Sequence, residues 1–246
     1  MTAKINKTHE AITQEGSALA RYQRVMVGSD SIAYLLYFEL CTWLARVPGA
    51  LGLMLRKLLW PRLFGSCGKG VMFADNITLR HPKRIHLGDR VIISEGAVLD
   101  ARHDTADHVI TLGDDVMLSV NVMISCKNGC VAVGERTGLS AQTVIHATND
   151  CPVTIGRDAI VGPQCYLAGG GNYHFDRTDV PIREQGIRQD GGVTLEDDVW
   201  LGAKVTVLGG VTMHRGSIAG AGAVVARDAD RNAICAGVPA TTLRYR

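Results

Sequence analysis

Residues Leu195 to Asp230 read, in blocks of six, LEDDVW, LGAKVT, VLGGVT, MHRGSI, AGAGAV and VARDAD. The first position holds Leu195, Leu201, Val207, Met213, Ala219 and Val225. The fifth holds Val199, Val205, Val211, Ser217, Ala223 and Ala229. An apolar residue every six positions fits neither a helix, which repeats near 3.6, nor a flat strand, which repeats near 2. It fits a parallel β-helix, in which a short strand, a turn and the next strand on a new face form one unit. The first residue of each block is then expected to point inward. Glycines such as Gly202 are expected at turns, where a side chain would clash or φ is unusual.

Working back along the chain, the same period is found in triplets. Leu87-Gly88-Asp89, Leu112-Gly113-Asp114, Val133-Gly134-Glu135 and Ile155-Gly156-Arg157 each start one. Leu112, Leu118 and Ile124 open the blocks of one triplet, and Val133, Leu139 and Ile145 those of the next. Slips fall at Thr105–Thr111, Cys130–Ala132 and Cys151–Thr154, which predicts a three-sided coil with its loops at one corner. Val71 and Ile77 are expected to open the earliest blocks, with a short insertion at His81 to His86. The largest departure, AGGGNYHFDRTDVPIREQGIRQDGG (residues 168–192), has no period at all. A solenoid extends easily, so an aperiodic loop of about 25 residues points to function. After Ala229 a short closing segment, residues 229–246, ends the chain.

The N-terminal part differs. Residues 1–70 carry nine Lys/Arg against four Asp/Glu and seven of the thirteen aromatics, whereas the remainder is net negative. Two regions follow: a helical segment over 1–70 and a β-helix over 71–246. A helix is expected within residues 1–29. From Ser31 to Phe64 the chain is apolar but interrupted by Glu39, Arg46, Arg56 and Lys57, with Pro48-Gly49 in the middle. Its uncharged runs are far shorter than the ~20 residues of a spanning helix. Two amphipathic helices are expected instead. Their apolar faces suit either the end of the coil or, with basic residues beside Trp43, Trp60, Tyr34 and Tyr37, peripheral contact with a membrane surface through residues 31–64.

The overall net charge of +2 argues against a general nucleic-acid binder. The seven cysteines include no Cys-x-x-Cys pair. No paired Cys/His spacing for zinc is present, so reduced thiols in a cytoplasmic protein, and no metal, are expected. The start MTAKINKTHE is too polar for a secretory signal.

The repeats, and above all VTLEDDVWLGAKVTVLGGVTMHRGSIAGAGAVVARDADRNAICAGVPATTLR (residues 193–244), resemble the hexapeptide-repeat acyltransferases. The nearest branch is that of the galactoside, maltose and polysaccharide O-acetyltransferases. The resemblance covers residues 71–246. It implies a left-handed parallel β-helix, a homotrimer with coenzyme A between neighbouring coils, and direct transfer of an acetyl group from acetyl-CoA to a sugar or glycolipid acceptor. A loop histidine is the implied base, and imidazole suits that task because its free pKa lies near neutrality.

Carried over residue by residue, the resemblance makes His174 the base, in the order Asn172-Tyr173-His174-Phe175-Asp176. Relatives with His-x-Phe would put the base at Tyr173. Asp176 is placed to orient the ring, and His146, within Ile145-His146-Ala147, is the rival base. Gln142, Asp150 and Tyr173 fall on the acceptor side, although Asp150 reads equally as a turn residue. Trp200, Ala203, Lys204, Ala221, Arg227 and Arg244 fall along coenzyme A: a flat ring and small residues for pantetheine, basic groups for phosphate. His81, His86, His103, His108 and His214 are taken as structural. Two other activities remain open: N-acetylation of an amino sugar or small amine, and a metal-binding or structural β-helix of the carbonic-anhydrase type, which needs three converging histidines.

Overall fold

The computed structural model describes residues 17–246. From Ser66 onward the chain winds into a three-sided parallel β-solenoid. Two faces are seven-stranded sheets, and the second face has nine strands. On the third face, for example, Thr78–Arg80, Val98–Arg102, Met123–Lys127, Val144–Thr148 and Tyr166–Gly169 lie side by side in parallel register. This is the coil that the six-residue period predicts. Leu195, Leu201, Val207, Met213, Ala219 and Val225 are all buried, and so is every fifth-position residue from Val199 to Ala229. Each face thus contributes a column of inward side chains, and the three columns fill a narrow core.

The first coil departs from expectation. Met72 and Phe73 pair with Ile92 and Ile93, and Thr78 and Leu79 with Val98 and Leu99. Phe73 and Leu79 are therefore the block openers, and Val71 and Ile77 hold the fifth position two residues earlier. Both pairs are buried, so the error is one of phase only.

The corners explain the glycines. A Cβ on Gly88, Gly113, Gly134 or Gly156 would stand 2.5–2.8 Å from atoms of the Gly-Asp, Gly-Glu or Gly-Arg turn one coil on, or of Glu196-Asp197 in the case of Gly156. Stacked turns approach too closely for a side chain. Left-handed φ falls elsewhere, on Arg90, Asp115, Arg136, Asp158, Asp198 and Asn232 at the first–second corner. Asn76, Asn121, Gln142, Gln164 and Lys204 hold it at the second–third corner, all with φ between 55 and 60°. Such residues give up on the order of 1 kcal/mol each, offset by the hydrogen bonds of the coil. At the first–second corner successive charges pair, Arg90 with Asp115 at 2.6 Å and Arg136 with Asp158 at 2.7 Å. These exposed pairs order the turns more than they stabilise them.

A helical layer closes the N-terminal end of the core. It comprises α1 (Ala18–Tyr22), a π-helical turn (Gln23–Val27), α2 (Ile32–Leu44), α3 (Gly49–Leu59) and a 3-10 turn (Trp60–Leu63). Leu35, Phe38 and Cys41 form the buried stripe of α2. The Trp60 ring lies 5.4 Å from Phe73, and Phe64 stacks on Phe73 at 5.3 Å. Arg56 is buried and donates to the carbonyls of Phe73, Leu44 and Val47, tying α2, α3 and the first coil together. At the other end Ala233–Gly237 and Ala240–Tyr245 form an antiparallel hairpin that terminates the second face.

The core yields two predictions of opposite direction. Ile124→Ala, which empties part of a fully buried column, should cost about 2–5 kcal/mol and lower the thermal midpoint measured by circular dichroism. Ser217→Ala removes a buried hydroxyl that has no hydrogen-bond partner among the described residues, so its midpoint should stay level or rise.

Candidate functional site

The excursion of residues 168–192 leaves from the strand Tyr166–Gly169 and returns to Val193–Leu195, so it hangs from the corner between the third and first faces. The shorter insertions after Arg80, Arg102, Lys127 and Thr148 leave from the same corner. The glycines at its two ends have positive φ: Gly170 (81°), Gly171 (87°), Gly191 (87°) and Gly192 (85°). A Cβ on Gly192 would meet the Pro152 carbonyl at 1.9 Å, and one on Gly170 the Thr148 carbonyl at 2.4 Å. Both ends therefore hug the preceding corner in conformations that glycine alone adopts readily. Asp190 clasps them: its carboxylate accepts from Gly170 N, Gly192 N and, at 2.7 Å, Asn172 Nδ2. Gln189 Nε2 adds a 3.3 Å bond to the Asn149 carbonyl.

Beyond the clasp the excursion is a hairpin, Asn172–Tyr173 pairing antiparallel with Ile187–Arg188. Its tip is held by an Arg177–Asp179 ion pair and by Gln185, which bonds both the N–H and the carbonyl of Arg177. Tyr173, Phe175 and Ile182 are exposed. Together with Arg188, Gly209 and Gly210 they line a groove of about 720 Å³ between the hairpin and the next coil. His174 is not among the groove's lining residues, as strand alternation expects. Its N–H donates to the Gly186 carbonyl at 3.1 Å, and its exposed ring makes no hydrogen bond with the described residues, Asp176 included.

His146 has different surroundings. It sits on the outer side of the third face, in register with Ser125 on one side and Ala168 on the other. Its ring is half-buried, 6.4 Å from that of Tyr166. Burial pushes its pKa below the ordinary 6.5, only partly opposed by the Asp100 carboxylate. Asp100, in the same outward row, is 1% exposed. Arg80 Nη1 reaches it at 2.8 Å and Arg102 Nη2 at 2.7 Å.

The remaining candidates divide between corners. Gln142 and Lys204 occupy left-handed positions at the second–third corner, where Gln142 Oε1 accepts from Gln164 Nε2 at 2.8 Å. Ala203 lies at the same corner, and its carbonyl accepts from Gly222 N next to Ala221. Trp200 projects from the second face, half-exposed, paired in register with Ile160 and Ile218. With Met72, Ile92, Met117 and Ile234 these form an outward apolar column along that face. Asp150 and Arg227 lie at the third–first corner with the hairpin, and Arg244 on the exposed terminal strand. Within one chain the hairpin corner and the Trp200 face are on opposite sides of the prism. The Asp190 clasp, the Asp100 cluster and the apolar column were not anticipated. Only the column had a sequence signal, the apolar sixth residue of every third block except at Gly138.

The other histidines have local tasks. His81 is buried, and its Nε2 donates to the Arg24 carbonyl. His86 bonds Ser66 and stacks on His108 at 3.8 Å. His103 Nδ1 accepts from Thr105 and Ala106, and His214 pairs with Glu196. No group of three or more His, Cys, Asp or Glu that could hold a metal occurs among the described residues. The seven cysteines are free thiols.

No family model matches the chain. The galactoside O-acetyltransferase of Escherichia coli is 32% identical over 97 residues, 39% of this chain and 45% of that protein. A putative lipopolysaccharide biosynthesis O-acetyl transferase of the same bacterium is 31% identical over 106 residues, 41% of this chain and 54% of that protein. The chain thus spans about half the length of the curated relatives it matches. An N-acyltransferase from Bacillus cereus, solved with dTDP and 3-hydroxybutyryl-CoA, shares the fold at 20% identity with a TM-score of 0.50. The likeness covers 74% of this chain and 84% of that one.

Two outcomes follow from the site. Asp190→Ala should speed proteolytic nicking within the excursion several-fold while the coil's melting midpoint holds, as limited digestion beside calorimetry would show. His146 should titrate by NMR with a midpoint below 6.5. Because its folded pKa is the lower one, its contribution to stability is complete above about pH 6.5 and is lost as the pH falls through the folded value.

Proposed function

We propose that this chain, a hexapeptide-repeat protein of the acyltransferase type in sequence and fold, transfers an acetyl group from acetyl-CoA to a sugar hydroxyl of a polysaccharide, lipopolysaccharide or glycolipid precursor. The observation that carries the proposal is the clasped hairpin, an irregular element built onto the coil, with an exposed imidazole that has no hydrogen-bond partner among the described residues. His174 takes the proton of the acceptor hydroxyl. The oxygen attacks the thioester carbonyl, the C–S bond breaks, and the coenzyme A thiolate leaves and recovers the proton from the imidazolium. Asp176 steadies the imidazolium, Tyr173 and Asp150 contact the acceptor, and Gln142 does so from the second–third corner of a neighbouring copy.

The donor lies along the opposite face of a second copy. Trp200 packs on pantetheine, Ala203 and Ala221 let it approach the backbone, Lys204 and Arg244 meet its phosphates, and Arg227 reaches them from the hairpin corner of the neighbouring copy. The outward apolar column on the second face supports side-by-side association of coils, with a trimer as the closed arrangement. The reaction belongs in the cytoplasm, where acetyl-CoA is drawn upon. One observation favours a second base: His146 is half-buried and kept neutral by that burial, as a general base must be. A metal-dependent activity has no comparable support.

The test is thiol release from acetyl-CoA by the full chain over a panel of sugar hydroxyl and amino-sugar acceptors. Activity on amines alone would replace O-transfer by N-transfer. His174→Ala should lower kcat by about 10²–10⁴-fold and leave KM for acetyl-CoA nearly unchanged. Wild-type turnover in that variant, with loss in His146→Ala, would move the base to the coil. Mixing inactive His174→Ala and Trp200→Ala chains should restore activity in mixed assemblies if each site is shared between copies.

A further inference from the structure

The helical layer uses only one of its two sides to close the core. On α2 the buried residues are Leu35, Phe38 and Cys41. The outer side of the same helix carries Ile32, Leu36, Leu40 and Trp43, spaced as one stripe and all exposed. At 79%, Trp43 is the most exposed large hydrophobic residue among those described. α3 repeats the arrangement with Leu51, Met54 and Leu58 at i, i+3 and i+7, all exposed. Two adjoining helices thus turn apolar stripes away from the core of the described residues. Large exposed apolar stripes on a protein surface mark an interaction site.

The charge around the stripes selects the occupant. Arg46, Lys57 and Arg62 are exposed beside them, and the one carboxylate of this stretch, Glu39, is engaged by the Tyr22 hydroxyl. Aliphatic stripes with an indole at the edge and a cationic rim match the boundary between acyl chains and anionic headgroups. At 13 and 11 residues the two helices are too short to cross a bilayer, and no described helix is long and apolar enough to do so. They can lie in its surface.

We infer that the outer side of α2 and α3 docks on an anionic lipid bilayer, with Leu36, Leu40, Trp43, Met54 and Leu58 in the acyl boundary and Arg46, Lys57 and Arg62 on the headgroups. The same helices cap the coil on their inner side, so the solenoid stands on the membrane by its N-terminal end. This docking stands apart from the acetyl-transfer proposal, since it uses none of the residues assigned to transfer.

The experiment is flotation of the full chain with vesicles of phosphatidylcholine alone or of an equimolar mixture with phosphatidylglycerol. The chain should float with the mixed vesicles, less so in high salt and little with phosphatidylcholine alone. The double variant Leu36→Glu/Leu58→Glu alters two exposed positions. It should lower the floated fraction by about tenfold or more while its melting midpoint and elution volume stay those of the wild type. A wild-type chain that remains in the bottom fraction with both vesicles overturns the inference, as does a variant that floats equally well. End-to-end association of the wild type that the variant abolishes, seen by sedimentation velocity without flotation, would assign the surface to a second copy of the chain. Acetyl transfer to a soluble acceptor, measured on the same variant, tells failure of docking from failure of the enzymatic proposal.

Discussion

Everything in this molecule depends on the close stacking of identical turns. Each coil donates its backbone N–H groups to the coil beside it, and inward side chains fill a core only as wide as three short strands permit. Such a structure is quasi-one-dimensional: a coil contacts only its neighbours, and both ends expose unfilled core. The two ends are closed differently. At the N-terminal end Trp60, Phe64 and Phe73 pack as an aromatic plug under helices. At the C-terminal end the core tapers through Ala219, Ala223 and Ala229 and is finished by an antiparallel hairpin, which no further parallel coil can continue.

The same stacking limits where irregular structure can be added. The first–second and second–third corners have tight turns in which a left-handed residue, the approach of neighbouring backbones or both fix the conformation. An insertion there would break the stack on both sides. The third–first corner tolerates slips of several residues in coil after coil, and the long hairpin is the largest of them. It is held as a rigid branch by a carboxylate that satisfies the amides at both of its ends. A group carried on such a branch is positioned by the coil without disturbing it, as a catalytic loop on a rigid scaffold requires.

These constraints explain what could be read from the sequence. The six-residue period is a direct image of core packing, so the coil, its three sides and the loop corner were all legible. The phase of the first coil was not. There Met72 and Phe73 are both apolar although one faces out, and apolarity alone does not say which. The left-handed corners were invisible too, because Arg136, Gln142 and Lys204 adopt a conformation usually signalled by Gly, Asn or Asp. Asp190 was hidden for another reason. Two of its partners, the Gly170 N–H and the Asn172 side-chain amide, stand 20 and 18 residues earlier in the chain, so the clasp exists only once the loop closes. For the candidate site, the aperiodic excursion and its histidine were evident, but not the excursion's hairpin, nor that His174 and Trp200 stand on opposite sides of one prism.

That separation, together with the bilayer docking inferred for the cap, sets the geometry in which transfer would occur. Strands of neighbouring coils lie about 4.8 Å apart, so the fifth coil, which launches the hairpin, stands about 20 Å along the axis from the first. A layer of helices adds about 10 Å beneath it. An acetyl group delivered at the hairpin is then released about 30 Å above the headgroups. A lipid-linked acceptor has to bridge that distance, which a short glycolipid headgroup does not and an extended glycan does. Coils associated side by side through the second face would also bring their caps to the same end and the same plane. Several weak docking surfaces would then act on one bilayer together, so that modest attachment by each holds the whole assembly in place.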